Sequence, residues 1–350
     1  MNPTRGVNSV CSIPQYELTQ NAASPIFHSR SRCCCIYEVD MIKILVGIPV
    51  LDNIEMTRAC MQSLYQYTDS DRMDLHVSVV IIDNGSKEDI AGLIKGEFVE
   101  ARFPTYYVRN PTNLGVAIAW NQIIRFSPDT ITDSSLCYDY YVISNNDVLF
   151  GQDWLQPMVE VMEGDELIGW LASLENGSPV MEELLEAHSN TKRYRVNPNR
   201  PYSSENILES VKRVYEKWGG HESFCKLVKD SDLPPFSKRM RSAVCFMIRP
   251  AMSRQIGLFD EDYPPVGIAE DLEYFLRIEG VIKPPWITDD YPAKGKWKYG
   301  LCGGSVIHHN WCMTRQGPGF DGRRWDKEKE KNWKTKFGRS KKYYTKKYLA

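Results

Sequence analysis

The chain contains no long hydrophobic run. No stretch approaches the ~20 consecutive apolar residues that a membrane-spanning helix needs, and the first residues form no apolar leader. Charge of one sign is missing too: 43 Lys and Arg stand against 45 Asp and Glu. That balance gives no global pull toward nucleic acid or an anionic membrane. The loop after the first apolar run lacks the GxGxxG fingerprint, and a GxxxxGK[ST] phosphate loop is absent. An ordinary dinucleotide-binding Rossmann domain and a phosphate-loop ATPase or kinase are both disfavoured. No internal repeat is evident. Ten cysteines are present, but Cys33, Cys34 and Cys35 are consecutive and the rest have no metal-ligand spacing. Cys60 and Cys245 lie in apolar stretches, where cysteine acts as a small hydrophobe. A reducing, cytoplasmic setting is expected, and the sequons at Asn84 and Asn176 read as chance matches.

What remains is an ordinary globular composition, 42% hydrophobic and 25% charged, with ample material for a core. Residues 1–40 show no periodicity and are rich in Pro, Ser and Asn, which predicts a poorly ordered extension. Met41 directly precedes the first strand and is a candidate start of the folded protein. Lys43–Val50 is a nearly continuous apolar run, the pattern of a strand buried on both faces. Met56, Cys60, Leu64 and Tyr67 then fall at helical spacing. Further strands are predicted at His76–Ile82, Thr105–Arg109 and Tyr140–Ser144, with a helix over Val116–Arg125 and a capping box at Ser86 and Asp89. Strands alternating with helices imply right-handed crossovers and a mainly parallel sheet covered on both faces, an α/β fold. Later expectations are helices over Trp154–Met162, Ile207–Lys217 and Glu270–Glu279, and strands over Gly169–Leu174, Ser242–Ile248 and Ser305–His309.

Each of the first four strands ends in a polar cluster: Asp52-Asn53, Asp83-Asn84, Asn110 to Asn113, and Asn145-Asn146-Asp147. Ligands of open parallel sheets bind outside the carboxyl ends of the strands, so these clusters describe one site.

In this order and spacing, VGIPVLDN (46–53), IIDNGS (81–86), NLGVAIAWN (113–121), SNNDVLF (144–150), GLFDED (257–262), AEDLEYFLR (269–277) and VIHH (306–309) resemble glycosyltransferase family 2. The likeness is to its rhamnosyltransferase-like branch and covers roughly residues 43–315. It implies a GT-A-like nucleotide-diphospho-sugar transferase fold and an inverting transfer from a nucleotide sugar to a glycan or glycoconjugate hydroxyl. Asn145-Asn146-Asp147 stands where the family has its DxD motif, with Asn145 replacing the first acid. The resemblance makes Asp147 a ligand of a divalent cation, Mn2+ or Mg2+, that offsets charge on the leaving diphosphate. His308 is the matching second ligand, with His309 as its competitor because the register is open.

Glu270-Asp271 resembles the family's ED motif, with Asp271 as the general base that takes the acceptor proton. The two roles can be exchanged. Asp83 is expected to read the donor's base and Pro49 to Asn53 to line the base and ribose. Asn113, Gly115 and Asn146 are expected around the diphosphate, and Asn121 is expected to brace the site. A UDP- or dTDP-sugar is the expected donor.

The resulting division is 1–40 as an extension, 41–150 as the nucleotide-sugar half, 151–318 as the acceptor and catalytic half, and 319–350 as a basic aromatic tail. The tail's aromatics fit a helix packed on the domain with lysines in water; contact with a membrane or an anionic acceptor is the alternative, and no nucleic acid is expected. The rival function is a non-catalytic nucleotide-sugar- or glycan-binding protein that retains the fold.

Overall fold

Ile42–Val50 forms the central strand β1, and its apolar run is explained by what covers it on both faces. The computed structural model describes residues 41–69, 75–98, 102–126, 138–176, 178, 181, 211–262, 270–283, 295–310 and 322–348. The proposed extension 1–40 and most of the irregular region 177–210 lie outside these. β1 pairs in parallel with β2 (Leu75–Asp83) on one side and β4 (Tyr140–Ser144) on the other, and β3 (Thr105–Arg109) lies outside β2. The crossovers carry α1 (Ile54–Tyr67), α2 (Ile90–Leu93, widening through Ile94–Phe98) and α3 (Val116–Ile124).

The chain then adds β5 (Val148–Phe150), α4 (Leu155–Gly164), β6 (Ile168–Glu175), α5 (His221–Lys229), β7 (Phe236–Lys238) and β8 (Cys245–Ile248). It ends with α6 (Pro250–Ile256), α7 (Glu270–Ile278), β9 (Lys298–His309), α8 (Gly322–Phe337) and α9 (Lys341–Tyr348). The nine-stranded sheet has the order β3-β2-β1-β4-β8-β6-β9-β5, with β7 also on β9. Its longest ladders, β1 with β2 and β6 with β9, are parallel, while β8, β5 and β7 pair antiparallel. This is the mixed α/β, mainly parallel sheet expected from the motifs.

Two apolar clusters flank the sheet. One gathers α3, α6 and α7, and the other gathers α1, α2 and α4. Gly47 permits the closest approach: a Cβ there would stand 2.3 Å from Ile123 Cγ2, so α3 lies directly against β1. Trp170 of β6 is the hub of the first cluster, stacked on Phe246 at 3.8 Å and edge-on to Phe275 at 5.0 Å.

Several local expectations need correction. Ser86 does not cap α2; Asp89 does, accepting from Gly92 N, while the Ser86 hydroxyl is drawn away to accept from Asp52 N. The 242–248 strand begins only at Cys245 and runs antiparallel to β4. The last strand is longer than Ser305–His309, and the three-residue strands β5 and β7 were too short to show a period. Of the expected helix 207–217, residues 211–215 are helical and Glu216–Trp218 tighten into a 3-10 turn, while 207–210 lie outside the described residues.

The C-terminal helices pack through their aromatics. Trp333 is fully buried in the α7 cluster, with Phe337 and Tyr344 against it, whereas Lys327, Lys331 and Lys334 are exposed. Lys336 Nζ donates to Glu273 Oε2 at 3.1 Å and pairs with Asp260, tying α8 to α7. No helix among the described residues is long and apolar enough to cross a membrane. Trp170→Ala should cost about 3–5 kcal/mol by leaving a cavity under β6, measured by denaturant unfolding; a near-neutral result would show that this cluster does not carry the fold.

Candidate active site

The direction of every strand brings one set of ends together. β1, β2, β3 and β4 are parallel, β8 reverses, and β6 and β9 reverse again. The carboxyl ends Val50, Asp83, Arg109, Ser144, Glu175 and His309 consequently share one edge of the sheet.

Hydrogen bonds stitch the first loops along that edge. Asp52 and Asn53 both take left-handed backbone, φ 55° and 59°, to turn β1 into α1. The Asp52 carboxylate accepts from Lys87 N at 2.6 Å, locking the first loop to the second. Asn84 donates to Asn113 Oδ1 at 3.0 Å and accepts from Leu114 N at 3.1 Å, locking the second to the third. Asn113 Oδ1 also accepts from Gly115 N, so Asn113 shapes the entry to α3. Gly115 holds φ 100° at the helix start, a conformation L side chains avoid. The first amides of α3 are thereby aimed outward, where a helix N-terminus favours anions. Pro49 and Asn53 are half-buried beside these loops.

Asp83 is built into the ends of β2 and β3. It is fully buried, and its oxygens already accept from Ser86 N at 2.8 Å, Tyr107 Oη at 2.5 Å and the Arg109 guanidinium. Burial and the adjacent carboxylate together push the Tyr107 phenol well above its usual range. In this arrangement Asp83 braces Arg109 and Tyr107.

The fourth cluster meets β9. Asn146 donates to Thr57 Oγ1 at 3.0 Å, which ties the cluster to α1 and gives it a bracing role. β5 pairs antiparallel with β9 so that Val148 lies opposite His309 and Leu149 opposite His308. Alternation then turns the two histidines to opposite faces. His309 Nε2 is 3.4 Å from Asp147 Oδ1, and His309 Nδ1 is 3.0 Å from Glu175 Oε2. His308 instead shares a 2.9 Å hydrogen bond between its Nδ1 and Tyr215 Oη, beside the ring of His221. The histidine at Asp147 is therefore His309, the competitor that the open register had allowed.

Their ionisation differs accordingly. Burial, with His221 and His309 nearby, pulls His308 down to about 3. Burial also acts to lower His309, but Asp147 and Glu175 outweigh it and raise it to about 10. A divalent cation fits where that Nε2 proton stands, since metal–N and metal–O bonds of about 2.0–2.2 Å can bridge such a pair. Among the described residues no group of three or more His, Cys, Asp or Glu is arranged to hold a metal.

On the far side, α7 opens with Glu270 and Asp271 in its first turn. Glu270 is buried at 6% exposure, whereas Asp271 is half-buried. Asn121 clamps the preceding loop, accepting from Phe259 N at 2.9 Å and donating to Phe259 O at 2.8 Å. The family model for glycosyl transferase family 2 matches residues 45–256. The chain belongs to glycosyl transferase family 2.

Among solved structures, this family 2 glycosyltransferase is similar to the mannosyltransferase PcManGT from Pyrobaculum calidifontis, in complex with GDP-Man and Mn2+. They share 11% identity at a TM-score of 0.48, covering 87% of this chain and 68% of that one. GalNAc-T7 with UDP, GalNAc and Mn2+ is 13% identical at TM-score 0.48, covering 78% of this chain and 44% of its own. TarS 1–349 of S. aureus is 9% identical at TM-score 0.43, covering 88% and 76%. No curated protein sequence matches the chain.

Glu175 and Asn176 escaped sequence reasoning, although both follow a predicted strand and obey the same strand-end rule as the first four clusters. Asn176 Oδ1 accepts from His309 N at 2.8 Å and so aligns the ends of β6 and β9. The bracing role of Asp83 generates a prediction. Asp83→Ala should cost about 1.5–3 kcal/mol, the worth of hydrogen bonds to a charged group, read as a lowered melting temperature. Unchanged stability with lost nucleotide binding would make Asp83 a base-reading residue and not a brace.

Proposed function

We propose that this chain is an inverting, divalent-metal-dependent glycosyltransferase, moving a sugar from a nucleoside diphosphate to a hydroxyl of a glycan or glycoconjugate. The observation that carries the reading is the Asp147–His309 pair at 3.4 Å, set on the sheet edge where the first three loops interlock. We assign that pair to a cation, which when bound neutralises charge on the departing diphosphate. We assign the α3 N-terminus behind Gly115 to the same anion, with Asn146 and Asn113 holding their loops in place. Asp271 is the proposed base: it lies in the first turn of α7, and its partial exposure leaves it reachable. Buried Glu270 is proposed to orient that turn.

The donor half is taken as 41–150 and the acceptor half as 151–318, with a UDP- or dTDP-sugar as donor. The rhamnosyltransferase-like branch and a cytoplasmic setting belong to the same proposal. They rest on the motifs SNNDVLF and VIHH and on the cysteine pattern.

A thermal-shift screen of nucleotide sugars with Mn2+ and Mg2+ tests the donor class, because a ligand of the native state raises its melting temperature. Metal-dependent stabilisation by a UDP- or dTDP-sugar is expected, and none by any nucleotide sugar would contradict the reading. For the chemistry, Asp271→Asn should lower transfer by about 10²–10⁴-fold with little change in donor affinity. Glu270→Gln should be milder. An active Asp271→Asn beside a dead Glu270→Gln would move the base to Glu270.

A further inference from the structure

Glu175 ends β6 directly opposite Ile307 of β9. Ile307 and His309 share a face of β9, so the Glu175 side chain reaches the His309 ring diagonally, within the usual reach of cross-strand neighbours. The contact is Glu175 Oε2 to His309 Nδ1 at 3.0 Å. The other carboxylate oxygen, Oε1, accepts from Ser242 Oγ at 3.0 Å, so the carboxylate is itself anchored to the segment before β8. The His309 backbone is clamped by the next residue: Asn176 Oδ1 accepts from His309 N at 2.8 Å, and Asn176 Nδ2 donates to His309 O at 3.3 Å. With backbone and Nδ1 both held, the ring has one direction left for Nε2. That direction is Asp147 Oδ1, 3.4 Å away.

A histidine that ligates a metal normally donates its other ring N–H to a carboxylate or carbonyl. That second contact fixes the tautomer, sets the ring plane and raises ligand basicity. Glu175 supplies that second contact here. Both of its oxygens already have partners in Ser242 and His309, and it stands behind the histidine and not beside Asp147.

We propose that Glu175 is a positioning residue that holds His309 with its Nε2 lone pair facing Asp147, so that the two side chains form a cation site ready for a nucleoside diphosphate. The inference rests on the assignment of Asp147 and His309 as the metal pair. It adds a residue that never touches the reacting atoms and acts only through the imidazole.

Mn2+ affinity is the test, measured by electron paramagnetic resonance on the full chain with UDP and, separately, with dTDP. Glu175→Ala should weaken Mn2+ binding about 10–100-fold, the usual cost of losing such a contact. Glu175→Gln keeps an acceptor oxygen and should recover much of that loss. Nitrogen-15 spectra of labelled histidine, recorded with Mg2+ and UDP, should show His309 protonated at Nδ1 in the native chain. The alanine variant should show mixed tautomers. A role confined to holding β6 against β9 would lower stability in both variants without moving the tautomer. If Glu175→Ala does not fold, the affinity and spectrum of Glu175→Gln decide. Asp147→Ala separates the two claims: if it loses Mn2+ while both Glu175 variants bind like the native chain, only the positioning role falls. If Asp147→Ala retains Mn2+, the metal pair falls and this inference with it.

Discussion

The pairing of β9 between β5 and β6 is the constraint on which the rest of the site depends. β5 fixes which histidine meets Asp147, because Val148 lies opposite His309. β6 fixes what stands behind that histidine, because Glu175 lies opposite Ile307. A slip of one residue in either ladder would reverse every side chain on β9. It would bring His308, now bonded to Tyr215, to the carboxylates in place of His309. The apolar residues of β9 also resist such a slip, since Val306 and Ile307 are buried in opposite clusters across the sheet.

Two buried charge clusters show how differently the fold treats ions. Beside α7, Arg277 and Lys336 face Glu273 and Asp260, so that positive and negative groups balance within the protein. Such a closed network holds the C-terminal helix to the domain and invites nothing further. At the sheet edge, a single imidazole lies between Asp147 and Glu175. Removing charges from water is costly unless they are matched, and here the imidazole bonds a carboxylate at each ring nitrogen. The proposed divalent ion would take the place of the Nε2 proton.

Much of this was legible in the sequence, and the limits have physical causes. β1, β2 and β4 declared themselves because strands buried on both faces must be apolar throughout, and their polar ends marked the ligand edge before any coordinates were considered. The order of motifs carried the family. Register was not legible: His308 and His309 are chemically identical neighbours, and only the partner strand distinguishes them. The motif points Asp83 at the donor; its bonds to Tyr107 and Arg109, two strand residues with no motif of their own, show only in the pairing of β2 with β3. Glu175 carries no motif, and that β6 ends on the same edge as the first four strands follows only from the sheet order.

His309, and not His308, stands beside Asp147 and is the proposed metal ligand. Electron spin-echo modulation of Mn2+ bound to the full chain with a nucleoside diphosphate measures whether an imidazole nitrogen is directly coordinated. A single coordinated nitrogen that vanishes in His309→Ala and persists in His308→Ala is expected. A nitrogen signal lost in His308→Ala and kept in His309→Ala, or none in the native chain, would contradict the assignment of His309.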